Sequence, residues 1–123
     1  MSYASFFLLQ KTAPCQYAIQ LDSDHELFKV HFANFPILPG SCTSNIIRTA
    51  AENEIGRPLT ISHITQMKFV KPIFPNETVY NLSLVISPKE NEWSVKAQIS
   101  SNEQVHCKAQ LTLTQKEKWI QQA

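Results

Sequence analysis

HFANFPILPGSCTSN, residues 31–45, carries a histidine-bearing loop through Pro36 and the pair Pro39-Gly40 straight into an apolar helix. The prolines fix the approach of the chain. Gly40 lets backbone come close to a ligand, and the helix start beyond it offers unpaired N–H groups at a positive dipole end. Such an end stabilises an oxyanion, so the stretch reads as a site as well as a boundary.

Downstream, Cys42, Ile46, Ile47, Ala50, Ala51 and Ile55 recur at spacings of three and four, which predicts a helix over 41–55 with a wide apolar stripe. Gly56 stops it and Pro58 forbids its continuation. Upstream, Asp22-Ser23-Asp24 supplies turn and N-cap chemistry, and a short helical turn over 25–30 carries Leu27 and Phe28 inward. Two short apolar stretches, 5–9 and 16–21, read as strands around the break at Pro14-Cys15.

Beyond the helix the period changes to two. A strand is predicted over 60–70. Another over 77–87 has Tyr80, Leu82, Leu84 and Ile86 on one face, and a third over 92–100 has Trp93, Val95, Ala97 and Ile99. A last one sets Val105, Cys107, Ala109, Leu111 and Leu113 against His106, Lys108, Gln110 and Thr112. The short polar links at 88–91 and 101–102 make these an antiparallel meander. One long buried helix and an antiparallel sheet give an α+β domain in which the sheet wraps the helix. The end of the chain, 115–123, reads as a tail or short helix whose Trp119 packs back.

With 123 residues and 43% hydrophobic content the chain fits one domain, residues 1–123. That is small for an enclosed ligand tunnel, which a partner subunit would complete. The net charge of +1 is spread along the sequence, with no basic stripe for nucleic acid or an anionic membrane. Cys15, Cys42 and Cys107 are odd in number and lack metal-ligand spacing, so reduced thiols in a cytoplasm are the simplest reading, with a disulfide pair left open. The apolar run over 6–9 is too short for a signal peptide, and no stretch is long enough to span a bilayer.

The 31–45 stretch resembles the active-site motif of the hot-dog-fold β-hydroxyacyl-acyl-carrier-protein dehydratases, His-Phe-Pro-x-x-Pro-x-Met-Pro-Gly with an acidic residue fourteen positions after the histidine. His31, Phe32, Pro36, Ile37, Pro39 and Gly40 are in register. Ala33 replaces a proline, Val30 a glycine, and Asn45 the carboxylate. Lys68-Phe69-x-Lys71-Pro72-x-x-Pro75-x-Glu77 looks like a second family segment, with Asn76 in place of its glycine. The likeness is nearest to the relaxed motifs of dehydratase-like proteins of polyene pathways, such as those making aryl polyenes. It implies a hot-dog fold, with a curved antiparallel sheet around one central helix.

The resemblance also implies roles. A 3-hydroxyacyl thioester loses water when a base takes the C2 proton, a donor stabilises the enolate oxygen and an acid protonates the departing hydroxyl. His31 would be the base and the Gly40 amide the carbonyl donor, with Phe32, Pro39 and Ser41 beside them as substrate-binding positions. Asn45 stands where the acid should be, and an amide supplies no proton near neutral pH. In the family the histidine and the facing carboxylate come from different subunits. The resemblance therefore implies a homodimer, or a heterodimer with a homologous dehydratase whose own carboxylate completes one site. Restoring an acid by Asn45→Glu is expected to raise dehydration if the acid is all that is absent.

The expected substrate is an acyl-carrier-protein or coenzyme A thioester in fatty acid or polyene synthesis, with no metal or organic cofactor, since water elimination needs none. The alternatives are a hot-dog thioesterase and a catalytically silent acyl-binding subunit. Glu52, two turns past Asn45 and roughly 10 Å along the axis, is too far to replace the acid. Cys42 reads as a small core residue, and His25, His63 and His106 as structural or solvent-facing. Lys29, Arg48, Arg57, Lys68 and Lys71 cluster in sequence around the motif and offer a landing for an acidic carrier or a coenzyme A phosphate, scattered surface charges being the commoner explanation.

Overall fold

The structure, a computed structural model, describes residues 5–30, 36–76 and 78–116. Strands β1 (Phe7–Ala13) and β2 (Gln16–Leu21) are followed by a short helix α1 (Glu26–Val30) and the long helix α2 (Gly40–Ile55). Then come β3 (Leu59–Phe69), β4 (Tyr80–Lys89), β5 (Glu92–Ser101) and β6 (Gln104–Gln115). The six strands form one antiparallel sheet in the order β1-β2-β4-β5-β6-β3, curved around α2. This is the hot-dog arrangement that the motif resemblance predicts.

Alternation decides which face meets the helix. Leu82 and Leu84 on β4, Val95, Ala97 and Ile99 on β5, and Cys107, Ala109, Leu111 and Leu113 on β6 are buried with Ile46, Ile47, Ala50 and Ala51 of α2. Each large aliphatic side chain among them contributes about 1.5–3 kcal/mol by leaving water. Ala97 and Ala109 face each other across β5 and β6, a low row between the larger pairs Val95–Leu111 and Ile99–Cys107. The hydroxyls of Thr43 and Ser44, buried on α2, bond back to the carbonyls of Pro39 and Ser41, which offsets their loss of water.

Element edges moved where long-range pairing overrode local signals. The helix starts at Gly40, one residue early, and β1 runs on to Ala13. β4 begins at Tyr80 and continues through Pro88 to Lys89, beyond the predicted end at 87. Pro88 is tolerated because β2 covers β4 only from Tyr80 to Ser83, so its missing N–H faces no neighbouring strand. Gln115 closes β6 and pairs with Leu59, so it belongs to the sheet and not to a tail. Glu77 and residues 117–123, with Trp119, lie outside the described residues.

The far end of α2 is closed off. Gly56 takes a left-handed conformation, φ 81°, and its N–H returns to the Glu52 carbonyl at 2.7 Å. Beside it Glu54 accepts from the Tyr17 hydroxyl at 2.5 Å and pairs with Lys11 at 3.0 Å, while Asn53 Nδ2 donates to Tyr17 at 2.7 Å. Burial and the Glu54 bond push the Tyr17 phenol up to about 12. The same bond holds the Glu54 carboxyl below its ordinary value.

Candidate active site

At its start α2 is left open. Pro39 occupies the N-cap with extended backbone and no side-chain cap, and its carbonyl already takes the amides of Cys42 and Thr43 at 3.1 and 3.0 Å. Among the described residues nothing accepts from the amides of Gly40 and Ser41, so two donors of the first turn project from a positive helix end. A Cβ on Gly40 would lie 3.6 Å from Phe69 Cε2 and 3.8 Å from Met67 Sδ, ordinary contacts. Nothing described within the chain therefore demands glycine at this place, and its bare Cα leaves the approach to the amide clear.

That end opens on a cleft of about 370 Å³, lined by Ile37, Leu38, Pro39 and Gly40 on one side and by Phe69, Val70, Lys71, Pro72 and Ile73 on the other. Phe69 and Val70 are 40% and 55% exposed, apolar surface left uncovered at its rim. The far wall is pinned to β6. The amides of Val70 and Lys71 both donate to the His106 carbonyl, at 2.8 and 3.2 Å. The His106 ring is buried, with Nδ1 3.0 Å from the Pro72 carbonyl and Nε2 2.8 Å from the Ser101 hydroxyl. A carbonyl only accepts, so Nδ1 carries the proton and, in the neutral ring, Ser101 donates to Nε2. The Leu38 amide donates to the Ile73 carbonyl at 2.8 Å and ties the two sides together.

Asn45 is not in this cleft. Five residues past Gly40, it lies about 140° around α2 and roughly 7.5 Å along it. Its Oδ1 accepts from Arg48 Nη2 at 2.6 Å, and Arg48 Nη1 pairs with Glu52 Oε2 at 2.7 Å. The same Glu52 oxygen accepts the Leu59 amide at 2.7 Å. Both charged side chains are about a quarter exposed, so as a stabilising pair they contribute only about 0.3–0.5 kcal/mol.

The structure thus brings Pro39, Gly40 and Ser41 together at the helix start and sets Asn45 on another side of the same helix. His31 and Phe32 lie outside the described residues. Cys42 packs against the core, half-buried, with burial raising its thiol, in keeping with a core residue. The basic residues do not form one patch. Arg48 is engaged by Asn45 and Glu52, while Arg57, past the other end of α2, stacks on Trp93 with its guanidinium carbon 5.7 Å from the ring centre. Lys71 bonds to the Gln104 side chain, and Lys68 sits opposite Lys108 on β6. His25 Nδ1 accepts the Leu27 amide at the start of α1, and His63 is exposed on β3. Two partners escaped the sequence reading. Arg48 carried an i,i+3 signal to Asn45, whereas nothing local marks His106 as the anchor of a loop over thirty positions earlier in the chain.

A curved antiparallel sheet around one helix, with the helix start bare over an apolar cleft, defines a hot-dog protein. Within that class the chain belongs to the ApeI-like dehydratase family, whose model, described as ApeI dehydratase, matches residues 9–118. No curated protein sequence matches it. Among solved structures it is similar to the dehydratase heterocomplex ApeI:P from Xenorhabdus doucetiae, at 21% identity and a TM-score of 0.65, over 88% of this chain and 95% of that one. An uncharacterized protein from Erwinia carotovora matches at 21% identity and a TM-score of 0.63, over 92% and 98%. The ChsH1-ChsH2 complex from Mycobacterium tuberculosis matches at 12% and 0.55, over 66% and 63%. Among the described residues no helix is long and apolar enough to cross a membrane.

Proposed function

We propose that this protein is a 3-hydroxyacyl-thioester dehydratase-like lyase of fatty acid or polyene synthesis, working in the cytoplasm as a dimer or as half of a mixed pair. The observation that carries the reading is the uncapped start of α2, where Gly40, without a Cβ, lines an apolar cleft and its amide and that of the next residue have no acceptor among the described residues. A thioester carbonyl seated there gains its donors as charge develops on oxygen, which is when they count most. His31 takes the C2 proton. The enolate collapses, expels the C3 hydroxyl, and the imidazolium returns the proton to it, giving a 2-enoyl thioester, water and neutral histidine. Phe32, Pro39 and Ser41 hold the substrate beside the reacting carbons. Asn45 binds the departing oxygen in the site shared with the partner.

The position of Asn45, turned away from the cleft of its own chain, supports a site assembled from two subunits. The partner docks along β3, an eleven-residue strand at the sheet edge. Its Ile64 is 44% exposed, and its free side has no neighbour among the described residues. The other edge strand, β1, is polar and exposed over its second half, and so suits an end of the assembly better. That the Xenorhabdus dehydratase is a heterocomplex supports a mixed pair here.

The test is to present 3-hydroxyacyl thioesters on carrier protein and on coenzyme A, alone and with homologues from the same pathway, and follow mass. Loss of water identifies the lyase. Release of free acid would replace it with a thioesterase, and binding without turnover in every combination with a silent subunit.

A further inference from the structure

We propose that Arg48 is a positioning residue that orients Asn45 so that position 45 turns its amide N–H outward as a donor, and that it would hold a carboxyl placed there ionised. The inference rests on reading position 45 as the polar position facing the leaving hydroxyl. A guanidinium only donates, so the amide atom 2.6 Å from Arg48 Nη2 is the oxygen, and the flip of the Asn45 amide is fixed by chemistry. Nδ2 is left outward, with no acceptor among the described residues. The other nitrogen of Arg48 pairs with Glu52 Oε2 at 2.7 Å, and that oxygen also accepts the Leu59 amide at the start of β3. The chain Leu59–Glu52–Arg48–Asn45 thus runs from the start of β3 to position 45 on α2.

Two chemical consequences follow. A cation pulling on Oδ1 polarises the amide and strengthens Nδ2–H as a donor to a departing oxygen, as chains of hydrogen bonds reinforce one another. A carboxyl in the same place would meet that cation and lose its proton at lower pH, which makes it a poorer acid. Restoring an acid by Asn45→Glu therefore does not suffice while Arg48 remains. The arginine and the asparagine act as one device, which binds the hydroxyl and leaves both proton transfers to the histidine.

The experiment titrates the carboxyl introduced by Asn45→Asp, by carbon NMR on the full chain, with Arg48 present and with Arg48→Leu. Its pKa should be lower by about one unit or more when Arg48 is present. In parallel, turnover of a 3-hydroxyacyl thioester on carrier protein should fall for Asn45→Asp, whose ionised carboxylate offers no donor, and rise from that level at least about tenfold when Arg48→Leu is added, toward the roughly hundredfold or more that a well-positioned acid supplies. Arg48→Leu alone should lower kcat more than it raises KM, and Arg48→Lys should rescue it. If Arg48→Leu does not fold, Arg48→Gln removes the charge and keeps a donor, and the titration is read on that variant. Equal pKa values with and without the cation, or a full gain from Asn45→Asp alone, would overturn the proposal. No water loss from wild type in any pairing would sink the dehydratase reading, while the titration would still decide the role of Arg48.

Discussion

The two ends of α2 are finished in opposite ways. At the C-terminal end Gly56 turns the chain back, its amide caps Glu52, and Glu54, Tyr17, Asn53 and Lys11 satisfy one another around it. At the N-terminal end a proline stands where a serine or aspartate would cap, and the Gly40 and Ser41 amides have no acceptor among the described residues. Capping would have stabilised that end by about 1 kcal/mol. The start of the helix leaves these two donors beside an apolar cleft, whereas its end is closed by bonds within the chain.

The contrast gives experiments at both ends. The largest effect is expected at His31, upstream of the open end. His31→Ala should lower dehydration at least about a hundredfold, as loss of a general base does. Unchanged turnover in the mass assay would remove the base assignment. Next, Gly40→Ala should separate function from stability. Its Cβ meets only ordinary contacts, and alanine is the better helix former, so thermal stability should hold or rise. Turnover should fall roughly ten- to a hundredfold as the carbonyl is displaced by about an ångström. A variant both less stable and fully active would show that the glycine serves packing.

At the closed end the signs reverse. Gly56→Ala has open space around it but a φ of 81°, so it should cost about 1 kcal/mol in denaturant unfolding and leave kcat/KM alone. The smallest effect is one of pH. The folded Glu54 carboxyl is held below its ordinary value, so its contribution is present above the unfolded value near about 4.3 and is lost as pH falls through the lower folded one. The stability gap between wild type and Glu54→Gln should therefore be constant from neutrality down to about pH 5 and shrink below about pH 4. A gap that grows in acid would show that the network does not depend on the charge.

Much of this was legible in the residues. Pro39-Gly40 and Gly56-Pro58 bracket α2 to within one position, because helix ends are set by local backbone chemistry. The meander was legible because alternation and short links are local too. The place of β2 beside β4 was not, since sheet order depends on contacts distant in sequence. The same reason hid the extension of β4 through Pro88, which only the uncovered side of that strand permits. In the candidate site the motif located Gly40 and flagged the odd Asn45, but the engagement of its amide depends on a rotamer of Arg48. The dispersal of the basic residues needed three dimensions as well, because Arg48 bonds to Asn45 and Glu52 along the middle of α2 while Arg57, past its end, stacks on Trp93.

The wall over Val70 to Ile73 hangs from His106 on β6, a strand flanked on both sides within the sheet. A rim sewn to an interior strand inherits that strand's stiffness, so the amides of Val70 and Lys71 should exchange with solvent about as slowly as those of β6 itself. A guest entering on this side has to match the opening it finds, because loosening the rim means loosening the middle of the fold.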